Sequence, residues 1–251
     1  MAINWFKYAS PSSFYSLANK IVAIATLLAV ILSVIGLYWG FAKTPDVLSD
    51  QKQYYRIIFI HVPLAWMSMW LYLTLVFWAI MGLIFNTRLS YMMAAATAPT
   101  GALFAFLTIW TGAFWGKTSW GVWWDWDPRM TSMLILLFIY IGYIALQNTI
   151  SDSRRADRAS ALLALVGVIC IPVIYASINC PDPSQCAALH QRSSVKLIER
   201  NILIAMFVMV AAFWAYSFAV ITLRLKALIL KREGRTSWIE SLVSGESELE
   251  S

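Results

Sequence analysis

The chain has 251 residues, 60% of them hydrophobic and 13% charged, against about 45–50% and about 25% in soluble domains. That balance excludes an ordinary soluble fold and describes a polytopic membrane protein. The formal net charge of +6 does not point to nucleic acid, because no Lys/Arg run is interleaved with base-reading residues and the basic groups fall between apolar spans.

A membrane-crossing helix needs about 20 mostly apolar residues. Six segments meet that requirement: residues 21–41, 58–85, 92–116, 129–149, 159–179 and 201–224. The expected fold class is therefore all-α, a single integral membrane domain over residues 1–251 built as a bundle of six transmembrane helices. Residues 1–20 are polar and aromatic and carry no cleavable leader pattern, so the first span is expected to insert as a retained signal-anchor. The second span opens with His61 beside Pro63. The third opens weakly, as "AAATAPTGA", and Pro99 with Gly101 is expected to kink or delay it. The fourth follows the segment "WGVWWDWDPRM" and begins at Pro128. The fifth follows the basic loop "SDSRRADR", and the sixth follows "CPDPSQCAALH" and ends in a basic tail.

Lys/Arg placement sets the orientation. Arg154, Arg155 and Arg158 in one loop, and Arg224, Lys226, Lys231, Arg232 and Arg235 at the end, mark one side. Both termini are expected on that cytoplasmic side. Three outer loops result, residues 42–57, 117–128 and 180–200. The chain has 2 histidines, His61 and His190, and both fall on the outer side with the tryptophan-rich loop.

Trp120, Trp123, Trp124 and Trp126 crowd into that loop. An interfacial aromatic belt is the plain reading of membrane indoles, but a belt spreads over many helix ends and this cluster does not. Trp120, Trp123, Trp124 and Asp127 are spaced i, i+3, i+4 and i+7, so a helical turn would put them on one face as a flat apolar platform. Such a platform suits a large planar aromatic ligand. With two imidazoles on the same side, an iron porphyrin held from opposite faces is the natural candidate. Asp127 also reads as the N-cap of the fourth span, accepting from the N–H of Arg129 or Met130, because Pro128 suits a first helical position. Asp125 reads as solvated. Arg56, Arg129 and Arg192 are the cations near the outer rim that would pair with porphyrin propionates. Cys180 and Cys186 bracket a Pro-containing outer loop and read as a structural disulfide; the alternative is a metal pair of Cys186 with His190. Cys170 lies inside the fifth span and reads as packing.

Three motif matches fail. In "TGAFWGKTS" only three residues separate Gly112 from Gly116, one too few for a phosphate loop. There is no C-x-x-C-H for covalent haem attachment and no H-E-x-x-H zinc motif.

"WGVWWDWDPRMTS" resembles the signature of the tryptophan-rich (WWD) haem-handling superfamily of cytochrome c biogenesis. The six-span layout, "RMTSMLILLFIY", "FYSLA", "YRIIFIHVPLAWMSM" and one histidine in each flanking outer region are similar to its cytochrome c maturation protein C (CcmC) branch, over nearly the whole chain to the last span. The resemblance implies a protein of the bacterial inner membrane that binds haem b non-covalently at the periplasmic face. It implies His61 and His190 as axial ligands, and Trp120, Trp123, Trp124, Trp126 and Asp127 as haem platform and chaperone docking surface. It also implies delivery to a periplasmic haem chaperone (CcmE), alongside ABC transporter ATPase and membrane subunits (CcmA, CcmB) and a small single-span subunit (CcmD). On that reading the chain is not an enzyme. Two positions depart from the pattern: Asp125 stands where an apolar residue is expected, and "NCPDPSQCAALHQ" replaces an aromatic-rich approach to His190. A haem lyase or synthase component, and a permease for another substrate, are the alternatives. The first needs an apocytochrome docking site and the second a mid-membrane ionisable residue, and neither is evident in the sequence.

Overall fold

The computed structural model describes residues 11–44, 54–178, 199–234 and 236–244. The described residues are helical with no strand. In chain order the helices are α1 (Pro11–Ala42), α2 (Ile58–Phe85), α3 (Arg88–Trp120), α4 (Pro128–Thr149), α5 (Ser153–Gly167), α6 (Cys170–Ile178), α7 (Arg200–Glu233) and α8 (Ser237–Ser244). Six stretches are long and apolar enough to cross a membrane, α5 and α6 together supplying one of them. This is the all-α, six-span architecture expected.

Several limits differ from the expected spans, and local chemistry explains each. The third helix starts at Arg88 and runs through Pro99 without a break or delay. Proline removes one backbone donor, and in a packed membrane helix the freed carbonyl is tolerated. Gly101 is there for space: a Cβ at this position would sit 2.2 Å from the Tyr140 hydroxyl. The fifth span is broken instead, with α5 ending at Gly167 and α6 beginning at Cys170. Pro172 cannot donate to the Val168 carbonyl, so the α-ladder stops and restarts. The sixth span continues nine residues past Arg224 to Glu233, which places the Arg224 guanidinium inside the bundle on the Thr100 hydroxyl of α3.

The packing follows the antiparallel chain order. α2 and α3 form a tight hairpin, turned by Asn86 in the left-handed region (φ 51°). α7 lies against α1, α2 and α3, while α4 packs on α3, α5 and α6. In the centre, the buried Tyr72 and Tyr140 rings meet edge to face at 5.1 Å and 87°. Their hydroxyls donate to the backbone carbonyls of Ala164 and Ser68 at 2.8 and 2.9 Å. Two buried phenols are thereby satisfied while α2, α4 and α5 are tied together.

One end of the bundle is held by charge. Arg232 of α7 donates two bonds to the Asp157 carboxylate of α5, each 2.9 Å, and a third to Gln147 Oε1 of α4 at 3.1 Å. Gln147 Nε2 donates to Ser160 at 2.7 Å. The other end, where α3 runs into α4 and α2 begins, carries the tryptophan loop.

Candidate haem site

α2 begins after a short 3-10 turn at residues 54–57, and His61 stands in its first turn. Its ring reaches the end of α3, where Nδ1 lies 2.9 Å from the Thr111 hydroxyl. The α3 backbone at Gly112 passes close enough that a Cβ there would lie 3.0 Å from His61 Cε1. Below this contact lies a cavity of about 350 Å³ between α2, α3, α4, α6 and α7, in the range of small-molecule sites. His61, Trp115, Trp120, Arg129, Met133 and Met206 are among its walls.

The tryptophan loop does not form one helical face. α3 ends at Trp120, and Gly121 takes φ +80° as its left-handed C-cap. That conformation suits glycine and disfavours any residue with a Cβ. The Lys117 ammonium donates to the Gly121 carbonyl at 3.0 Å, closing the end. Residues 121–127 then run as irregular chain, so the i, i+3, i+4, i+7 spacing never becomes a helix face. The indoles part company. Trp120 turns to the cavity, its ring 5.8 Å from Trp115. Trp123 packs edge-on against Phe114 at 5.3 Å and is 52% exposed. Trp124 and Trp126 meet each other at 5.5 Å, and Trp126 is 74% exposed. The half-buried Trp124 has an Nε1–H with no hydrogen-bond partner among the described residues.

Asp127 is the N-cap of α4, as the Asp-Pro pair suggests. Its Oδ1 accepts from Met130 N at 2.7 Å. Its Oδ2 accepts from the Arg129 guanidinium at 2.8 Å. Both side chains are largely out of solvent, 1% exposed for Asp127 and 13% for Arg129. Arg129 Nη1 is buried and unpartnered among the described residues. It belongs to a residue that lines the cavity, so a guanidinium with an unpaired nitrogen stands beside that apolar volume. Asp125 is half-buried rather than fully solvated. Arg56 is not part of the cavity wall, and its guanidinium lies 5.9 Å from the centroid of the Phe41 ring. His190, Arg192, Cys180 and Cys186 lie outside the described residues. Cys170 is buried in the core, as its place in the fifth span suggests.

These residues fit a porphyrin on their own chemistry. The macrocycle needs apolar and aromatic walls, a nitrogen donor for iron and cations for its carboxylates. The cavity brings together indoles, methionine thioethers, one imidazole and one guanidinium with an unused buried donor. No group of three or more His, Cys, Asp or Glu side chains among the described residues could hold a bare metal ion. Sequence reasoning missed Thr111, Gly112, Met133 and Met206. Of these Gly112 carried a signal: Thr108, Gly112 and Trp115 recur at i, i+4 and i+7 on α3, and all three line the cavity.

Comparison with known proteins identifies the family. The family model described as heme exporter protein C matches residues 4–240. The Heme exporter protein C of Escherichia coli (strain K12) is 34% identical over 235 residues, covering 94% of each chain. Its namesake from Bradyrhizobium diazoefficiens is 37% identical over 236 residues, covering 91% of this chain and 86% of its own. That of Haemophilus influenzae is 31% identical over 240 residues. With a matching family model along nearly its whole length and relatives at this level of identity, the chain belongs to the heme exporter protein C family.

Proposed function

We propose that this protein receives haem b, holds it non-covalently at the periplasmic face of the bacterial inner membrane, and hands it to a periplasmic haem chaperone (CcmE) for cytochrome c maturation. Both termini then lie in the cytoplasm, and the Arg232–Asp157 end faces the same side. Haem is cargo here. The residues bind and orient it and make or break no covalent bond in it, so the protein is a trafficking subunit rather than an enzyme. Energy for transport belongs to partner subunits, an ATPase and a membrane component (CcmA, CcmB), with a small single-span subunit (CcmD).

The observation that carries this reading is the convergence of His61, Trp115, Trp120 and Arg129 on one largely apolar cavity. His61 supplies one axial imidazole and His190 the other. Trp115 and Trp120 cover the macrocycle. Arg129, aimed by Asp127, takes a propionate through its unused N–H. The four-indole loop as a whole then has two jobs, with the inner rings cradling haem and the outer rings meeting the chaperone.

The test is the absorption spectrum of the purified protein. A low-spin haem spectrum is expected. His61→Ala and His190→Ala should each abolish it, and added imidazole should partly restore it. An unchanged low-spin spectrum in both variants would overturn the ligand assignment.

A further inference from the structure

The contact between His61 and α3 bears on which ring nitrogen can bind a metal. Thr111 Oγ lies 2.9 Å from His61 Nδ1. The same hydroxyl lies 2.7 Å from the Leu107 carbonyl and 3.2 Å from the Thr108 carbonyl. A carbonyl can only accept, and the hydroxyl has one proton. Two carbonyls on α3 thus offer that proton acceptors on the side away from the ring, and with the proton there the threonine oxygen presents lone pairs to the imidazole and accepts from His61 Nδ1–H. A neutral imidazole protonated at Nδ1 carries its lone pair on Nε2.

Gly112 adds a second, independent constraint on the same ring. A methyl group at this position would lie 3.0 Å from Cε1, 3.7 Å from Nδ1 and 3.9 Å from Nε2. The ring is seated against bare α3 backbone, and any side chain there would push it away. Hydroxyl and missing methyl are neighbours in sequence and act on one imidazole.

We propose that Thr111 and Gly112 are positioning residues for His61: the hydroxyl selects the Nδ1–H tautomer and holds the ring's rotation, and the glycine gives the ring its seat, so that Nε2 is the atom offered to haem iron. This rests on the reading of His61 as an axial ligand given above. Metal-bound histidines generally donate their second N–H to a carboxylate, a carbonyl or water, and losing that partner costs about 10–100-fold in metal affinity. Here the acceptor is a neutral hydroxyl anchored on its own helix. It orients the ligand without the added negative charge of a carboxylate, which suits a site that must let its cargo go.

The experiment uses the full-length protein in detergent, first haem-free and then loaded. Haem-free protein labelled with ¹⁵N-histidine contains only 2 histidines, and His61→Ala assigns the His61 signals. The expected wild-type spectrum shows His61 with its proton on Nδ1 and none on Nε2. Observation of an Nε2–H tautomer in wild type would overturn the proposal without recourse to any variant. In Thr111→Val, the two tautomers should mix. Loaded protein is then challenged with excess apomyoglobin as haem acceptor. Thr111→Val should release haem about 10–100-fold faster, Thr111→Ser should stay close to wild type, and Gly112→Ala should release faster with its threonine intact. If Thr111→Ser fails as badly as Thr111→Val, the threonine methyl and not the hydroxyl matters, and the proposal is wrong. If His61→Ala loses haem while Thr111→Val keeps both tautomer and retention, this inference falls and the ligand reading stands. If His61→Ala keeps its low-spin haem, both fall together.

Discussion

Asp127 divides its carboxylate between two partners two and three residues ahead: Oδ2 accepts from the Arg129 guanidinium at 2.8 Å and Oδ1 from the Met130 backbone N–H at 2.7 Å. One oxygen starts α4 and the other aims a buried cation along the cavity wall. An acidic residue in an otherwise apolar signature is thereby explained, because no neutral residue does both.

Asp127→Asn and Asp127→Ala should therefore separate the two roles. Asparagine keeps a capping oxygen and loses the ion pair, whereas alanine loses both, and the cap alone contributes about 1 kcal/mol. Thermal unfolding in detergent should place Asp127→Asn between wild type and Asp127→Ala. Haem per protein should fall in both variants, since Arg129 loses its orienting charge in each. Full haem content in Asp127→Asn would show that the pair is not needed to aim Arg129.

Arg129→Gln should reduce haem retention, and Arg129→Lys should not restore it. A guanidinium can hold Asp127 with one nitrogen and a propionate with another, while an ammonium on a flexible stem lacks the fixed fork. Haem content by pyridine haemochrome assay is the measurement. Wild-type content in Arg129→Gln would remove this residue from the site.

The indoles should sort by where they point. Trp120→Ala removes a cavity wall and should lower resident haem. Trp126→Ala and Trp123→Ala remove rings that are 74% and 52% exposed, and should leave resident haem largely in place while weakening capture of the haem chaperone. Pull-down of the chaperone beside haem content per protein reads both. Equal haem loss in all three variants would make the loop a cradle only.

Gly121→Ala tests the turn that separates them. Nothing lies within 4 Å of a Cβ built at Gly121, so the substitution meets no steric neighbour and its cost is the φ of +80° alone, about 1–2 kcal/mol. Gly121→Asn should be milder, since asparagine visits the left-handed region more readily. Melting temperatures of the two variants provide the comparison.

At the opposite end, Asp157→Ala leaves the part-buried Arg232 guanidinium with Gln147 as its remaining partner, which should destabilise the bundle by about 1–3 kcal/mol. The surviving folded fraction should keep a normal haem spectrum, because Gln147 and Arg232 stand at the ends of α4 and α7 away from Met133 and Met206, which line the cavity. Loss of the haem signal in correctly folded protein would mean that the two ends are coupled.

Much of this protein was legible along the chain. Six spans follow from six apolar runs, because a bilayer core rewards length and hydropathy and little else. The Asp127 cap follows from Asp-Pro, since a cap reaches only three residues. Even the broken fifth span was signalled by Pro172, although a continuous helix was expected there. Local rules failed where two of them competed. The tryptophan spacing has helical period, but Gly121 ends α3 just after the first of those indoles, and chain reversal then sends Trp120 inward and Trp123 and Trp126 outward. Contacts between distant residues had no local signal at all. Thr111 meets His61 across 50 positions, and Met133 and Met206 join the same cavity from α4 and α7. Hydropathy specifies that a helix enters the membrane but not its rotation about its own axis. That rotation is set by packing, by the Tyr72–Tyr140 contact and the room Gly101 leaves for it, and it alone decides which face of α3 looks at the imidazole.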